Sequence, residues 1–215
     1  MLYCDIIYSI EIQRVVIVIN NHEKIITMTI ENNGFITAAQ VTDAGFQHRV
    51  LGELVSENRL YKVERGIYAL PDTWEDEMLF LQYRFAKGIF SSETALYLHR
   101  LSDRTPSTFT MTFPQGYNTQ SAKKASVNTK SAVQDIYELG VVEMLSPHQN
   151  PIRAYDKERT LCDIVKGNNS CEIGIVNSAM KAYAASTDKN MSKLLAYAER
   201  LSVKPKILRY MEVLL

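Results

Sequence analysis

Apolar residues recur along this chain at two spacings, and each change of spacing marks an element. Residues 1–20, MLYCDIIYSIEIQRVVIVIN, are mostly apolar and β-branched, with Asp5, Glu11 and Arg14 interrupting them. The longest unbroken apolar run is VVIVI, far too short to span a bilayer. The basic-start, apolar, small-residue order of a signal peptide is absent. This stretch predicts a strand or a sticky extension of uncertain role. No membrane association is expected, and the protein is expected in the cytoplasm.

From residue 21 the spacing becomes helical. In NNHEKIITMTIENNG, Ile25, Ile26 and Ile30 fall near one face, and Gly34 is placed to stop the helix in a left-handed conformation. In FITAAQVTDAG, Thr37 is a natural N-cap for a short helix carrying Ala38, Ala39 and Val41, and DAG makes a tight turn. A third helix follows in FQHRVLGELVSEN. Phe46, Val50 and Leu54 form its apolar stripe, widened by Leu51 and Val55. Gln47, His48, Arg49, Gly52, Glu53 and Ser56 take the other face. RLYKVERGIYAL then holds two runs folded around ERG, a hairpin. This succession predicts a winged helix-turn-helix over residues 21–72.

PDTW reads as a junction, and residues 73–215 as a second domain. WEDEMLFLQYRFAKG predicts a helix with Trp74, Met78, Leu81 and Phe85 on one face and acidic residues in its first turn, where the helix dipole favours them. SSETALYLHRL predicts a helix capped by Ser91 or Ser92, with His99 on its surface or packed. No base or oxyanion site stands near enough in sequence to make either serine a nucleophile. TFTMTF, VQDIYEL and VVEMLS look like strands. PQGYNTQSAKKASVNTK, between the first two, looks like an exposed polar loop. YDKERTLCDIVKG predicts a helix with Leu161, Ile164 and Val165 inward, and with Asp156, Glu158 and Asp163 paired on its surface to Lys157, Arg159 and Lys166. Three amphipathic helices close the chain, the last packing Ile207, Leu208, Met211 and Leu215. The fold expected is α/β (α+β): a winged helix-turn-helix, then a mixed α/β domain ending in three helices.

Charge narrows the chemistry. The 215 residues carry 24 basic and 24 acidic side chains, so nucleic-acid binding must come from a local patch. Gln47 and Arg49 offer bidentate donors to adenine and guanine at the start of the third helix, and His48 can bond a base or a phosphate. Arg59, Lys62 and Arg65 on the hairpin can touch the sugar-phosphate backbone. Thr37 and Gln40, on the short helix, complete the candidate DNA-binding set. Between Phe46 and Gly66 the basic excess is one, which suggests modest affinity per domain and two copies per operator. A second basic surface could be built from Lys123, Lys124 and Lys130 in the polar loop and from Lys181, Lys189, Lys193, Arg200, Lys204 and Lys206 near the end. Cys4, Cys162 and Cys171 show no metal-ligand spacing and read as buried or idle thiols. No cofactor, metal or catalytic residue is expected.

Several stretches in order resemble the AbiEi antitoxin family, from bacterial AbiE systems of abortive infection and phage resistance. GFITAAQVTDAGF and LVSENRLYKVERGIYALPD look like the family's N-terminal winged helix. KGIFSSETALYLHRLSDRTPSTFTMTFPQGYN looks like its second motif, and IRAYDKERTLCDIVK and KLLAYAERLSVKPKILRYMEVLL like its C-terminal pattern. The resemblance covers nearly all of the chain after residue 20. It implies a non-enzymatic antitoxin and transcriptional autorepressor. The winged helix would bind inverted repeats in its own promoter, with Gln47, His48, Arg49, Lys62 and Arg65 at the matching positions. The C-terminal domain would counter a cognate nucleotidyltransferase-like toxin without a stable complex, the type IV arrangement. Two alternatives stay open: an antitoxin that grips its toxin directly, and a nucleic-acid-processing enzyme using Asp156, Glu158 and Asp163.

Overall fold

The computed structural model describes residues 21–167 and 171–214. Residues 1–20, with their expected strand and Cys4, lie outside the described residues, as does Leu215. The chain divides between Asp76 and Glu77 into two compact units. Among the described residues no helix is long and apolar enough to cross a membrane.

In the first unit, α1 occupies residues 21–31. It stops at Gly34, whose φ of +87° only glycine adopts freely, and a Cβ there would run into the Thr73 side chain. The Gly34 N–H donates back to the Thr29 carbonyl at 2.9 Å, closing the helix end. Then come β1 (Phe35–Thr37), α2 (Ala38–Asp43), α3 (Arg49–Ser56), β2 (Tyr61–Glu64) and β3 (Ile67–Ala69). The strands form an antiparallel sheet in the order β1-β3-β2, with Tyr68 paired to Ile36 on one side and Lys62 on the other. Ile25, Ile36, Val41, Leu51, Leu54 and Leu60 fill the core, with Phe46 and Val55 packed against it. The short β1 was not expected, because three residues are too few to show an alternation.

The second unit is mixed α+β. Its elements are α4 (Glu77–Arg84), β4 (Ile89–Phe90), α5 (Ser92–Leu98), β5 (Thr110–Pro114), α6 (Gln120–Lys124), β6 (Asn128–Ala132), α7 (Gln134–Tyr137), β7 (Val141–Leu145), β8 (Pro151–Tyr155), α8 (Lys157–Val165), α9 (Ile173–Ala185), α10 (Met191–Arg200) and α11 (Lys204–Leu214). The sheet order is β6-β5-β4-β8-β7, with β5–β6 and β4–β8 parallel and the other pairs antiparallel. One core cluster joins α4 to the sheet through Phe85, Phe90, Met111 and Phe113, with Phe85 edge-on to Phe113. A larger one, including Leu161, Ile164, Met180, Tyr183, Leu194 and Ile207, unites α8 with the three closing helices.

Three expectations fail here. VQDIYEL is not a strand: Gln134–Tyr137 is a single helical turn, and Tyr137 is buried with its hydroxyl donating to the Lys87 carbonyl at 2.6 Å. The polar loop contains α6 and edge strand β6, where Asn128 and Ser131 are exposed and Thr129 and Lys130 half-buried, while Ala122 and Val127 anchor it. Trp74 precedes α4 and is 83% exposed, so only Met78, Leu81 and Phe85 serve the core.

The helix α8 departs further from expectation. Two of its charged residues, Glu158 and Arg159, are buried and not on the surface, at 5% and 2% exposed. Arg159 Nε donates to Asp163 at 3.0 Å, its Nη1 bonds the carbonyls of Ile136 and Leu139, and its guanidinium lies 4.2 Å from the centre of the Tyr155 ring. Burial raises the Asp163 carboxyl, and Arg159 pulls it back down. Glu158 accepts from the Tyr183 hydroxyl at 2.9 Å. Asp156 caps α8 by accepting the Arg159 N–H at 2.8 Å. Gly140 takes a φ of +78° beside this network, where a Cβ would meet the Arg159 Cβ at 2.8 Å.

Candidate nucleic-acid interface

Gln47, His48 and Arg49 are adjacent and exposed at the start of α3. The helix begins at Arg49 and not at Phe46. The chain first turns back, the Phe46 N–H donating to the Val41 carbonyl at 3.0 Å, so Gln47 and His48 sit in the turn ahead of the helix. His48 is the N-cap and makes no side-chain capping bond, which leaves its imidazole free of that task. Gly52 is exposed one turn later. A Cβ there would meet nothing within 4 Å, so no neighbour in the chain requires glycine at this position.

Arg49 is held by a carboxylate. Its Nε lies 2.8 Å from Glu53 Oε1, an i,i+4 pair with the arginine side chain 75% exposed. Such an exposed pair contributes about 0.3–0.5 kcal/mol, little enough for a phosphate or base to displace it. The other oxygen of Glu53 faces buried His22 of α1, at 3.2 Å from Nε2, while His22 Nδ1 lies 3.3 Å from Glu57. This link between α1 and α3 went unnoticed in the sequence, where the partners stand more than thirty positions apart.

The remaining N-terminal candidates divide. Lys62 on β2 and Arg65 at the hairpin tip are exposed. Gly66 makes the tip with a φ of +80°. Arg59 instead bonds Glu23 at 2.9 Å and ties the hairpin root to α1. Thr37 and Gln40 engage each other. Thr37 Oγ1 accepts the Gln40 N–H at 3.1 Å, and Gln40 Oε1 accepts the Thr37 N–H at 2.8 Å. This capping box uses both side chains to start α2, and Thr37 is buried.

In the second unit, most of the residues assigned to a second basic surface have bonding partners of their own. Lys193 is drawn inward to Asp156 at 3.0 Å and Glu158 at 3.4 Å. Lys204 pairs with Glu199, Lys189 donates to the Ser186 carbonyl and Lys206 to the Val165 carbonyl. Arg200 reaches the Asp135 carbonyl at 3.5 Å. Lys181 is exposed on α9, and Lys123 and Lys124 on α6. Lys130 bonds the Ser92 hydroxyl at 2.6 Å.

The suspected acidic trio is structural in its bonding: Asp156 caps, Glu158 takes the Tyr183 hydroxyl and Asp163 holds Arg159. Among the described residues no group of three or more His, Cys, Asp or Glu could hold a metal ion. Burial pushes the Cys162 thiol up to about 12, so it stays protonated at neutral pH. His99 donates from Nε2 to the Tyr155 carbonyl at 2.7 Å, and burial lowers its pKa below the ordinary value.

No family model and no curated protein matches the chain. Among solved structures it is similar to the crystal structure of the RV2827C protein from Mycobacterium tuberculosis, with a TM-score of 0.53 and 14% identity over 91% of this chain and 80% of that one. At that identity the likeness bears on the fold alone.

Proposed function

We propose that the N-terminal unit is a winged helix that binds double-stranded DNA, and that the protein is an AbiEi-type antitoxin repressing its own operon. The observation that carries this is the first unit itself. Helix, strand, two helices and a hairpin follow in order, and the first strand pairs with the last. The start of α3 presents Gln47, His48 and Arg49 to solvent. A recognition helix reads the major groove with its N-terminal residues, and a hairpin bearing Lys62 and Arg65 can rest on the adjacent backbone. Arg59, Thr37 and Gln40 leave the contact set, since their polar groups hold the unit together. Two copies would meet on inverted repeats, because one unit carries few free cations. The C-terminal unit would oppose a nucleotidyltransferase-like toxin without a stable complex, as the family resemblance implies. A gel shift on the DNA upstream of its own gene tests the first part. Specific retardation in two steps supports it, and equal retardation of a scrambled duplex refutes it.

One observation favours a direct grip on the toxin. A pocket of about 1000 Å³ opens in the C-terminal unit, lined by residues of α8, α9 and α11. It carries exposed Ile173 and Val213 and, around them, Lys181, Lys206 and Arg209. An acidic, amphipathic segment of a toxin would suit that lining. Co-elution of the two proteins in size exclusion would favour this reading, and separate elution the type IV one.

A further inference from the structure

We infer that the C-terminal unit holds a binding site for a phosphate group, built around Lys130 and Ser92. Lys130 lies on edge strand β6 opposite Thr112 of β5, and its half-buried ammonium donates to the Ser92 hydroxyl at 2.6 Å. Among the described residues no carboxylate stands within ion-pair distance of it. By contrast, Lys157 and Lys193 of the same unit each meet one. Asp163, across the neighbouring pocket, feels the charge of Lys130, but it lies beyond ion-pair distance and is bonded to Arg159. The half-buried ammonium therefore has a neutral hydroxyl as its bonded partner and no carboxylate in contact, whereas desolvated charges are ordinarily paired.

Ser92 is the second part of the site. It is 3% exposed and adopts a φ of +53°, a strained conformation for a non-glycine residue between β4 and the body of α5. Its oxygen accepts from Lys130, and among the described residues no acceptor takes its own proton. That proton is left for a ligand.

Both residues line a pocket of about 240 Å³, together with Ser107, Thr108, Thr110 and Asn128. The volume falls below that of pockets enclosing drug-sized ligands, which suits a small anion. Asn128 already donates to Thr108 at 2.8 Å, which orients that wall. Glu93, the one carboxylate in the lining, interacts with the Cys171 thiol and helps raise it. Lys130 also borders a second pocket of about 360 Å³ that Lys166 lines, where the one acid, Asp163, is matched by Arg159. Cations thus outnumber carboxylates in the lining of that second pocket. A phosphate, free or at the end of a phosphomonoester, would take charge-assisted bonds from Lys130 and Ser92.

The site does not depend on the DNA-binding reading. Its test is calorimetric titration of the full-length protein with inorganic phosphate and, separately, phenyl phosphate, at ionic strength held constant with chloride. Saturable binding with a Kd of about millimolar is expected for at least one. Tighter phosphate binding would point to the free ion, and tighter phenyl phosphate binding to a phosphomonoester. Lys130→Gln should weaken binding by about tenfold or more, with Lys130→Arg restoring most of it. An unchanged melting temperature would show that the variants fold. Lys189→Gln, in the loop after α9, should leave binding unchanged. Absence of saturable binding by both probes would overturn the proposal. So would equal binding by wild type and a folded Lys130→Gln, or equal losses in the Lys130 and Lys189 variants.

Discussion

The helices α3 and α8 each carry an arginine paired four residues on with a carboxylate, and the two pairs have opposite surroundings. Arg49 and Glu53 are 75% and 31% exposed, whereas Arg159 and Asp163 are 3% and 12% exposed. The first pair sits in water, and a competing anion can replace the carboxylate at little cost. The second is enclosed by two carbonyls and the Tyr155 ring, where a lost partner leaves a charge with nothing to solvate it. The same motif is therefore a weak, solvent-exposed pair in the first unit and a fixed strut in the second. Solvent access decides which. The histidines run the other way: buried His22 of the first unit faces two carboxylates, while half-buried His99 of the second donates to a backbone carbonyl.

The largest effect that would break this comparison is on stability. Arg159→Ala should cost about 3–5 kcal/mol in chemical denaturation, since it strands Asp163 and two carbonyls together. A loss below about 1 kcal/mol would mean the network is not the strut described. Arg49→Ala should leave stability within about 0.5 kcal/mol and instead cost about 1–3 kcal/mol in operator binding, with relaxed preference at one base position. Equal loss on every sequence would make Arg49 a phosphate contact only. Gly52→Ala sharpens the same point. It should stabilise α3 by roughly 1 kcal/mol, because nothing in the chain obstructs the new methyl. If the backbone approaches DNA closely there, it should also weaken binding.

The smallest effect is a pH dependence. Burial lowers the His99 pKa below its ordinary 6.5, so between those two values the unfolded chain binds a proton that the folded chain refuses. Stability present above pH 6.5 is therefore lost as pH falls through 6.5 toward the lowered value. Asp163, raised by burial, has the opposite sign between its raised value and 3.8, so the readout is the difference between wild type and His99→Gln. The variant should lose less melting temperature on acidification. Parallel curves would contradict the placement of His99.

Periodicity carried the helices with long apolar stripes, α1, α3 and the closing three, because burial on one face leaves a 3.6-residue signature. It did not carry β1, α6 or α7, of three to five residues, too short for a period to appear. VQDIYEL alternates like a strand, yet Val133 is 53% exposed while Tyr137 turns inward. Charged residues misled for a different reason. Arg159 and Lys193 look like surface residues in one dimension, but Arg159 is buried and Lys193 half-buried, because Asp156, Glu158 and Asp163 meet them in three. The exposure of Gln47, His48 and Arg49 at the start of α3 was legible because the apolar stripe that leaves them outside is local. The Lys130–Ser92 contact was not, since it joins residues 38 positions apart.

The central claim is that α3 reads DNA. The most direct measurement is fluorescence anisotropy of the full-length protein on its own upstream duplex and on a scrambled duplex, at matched salt, for wild type and Arg49→Ala. The account predicts clear preference for the upstream duplex, diminished about tenfold or more by the substitution. Equal affinity of the wild type for both duplexes would contradict it.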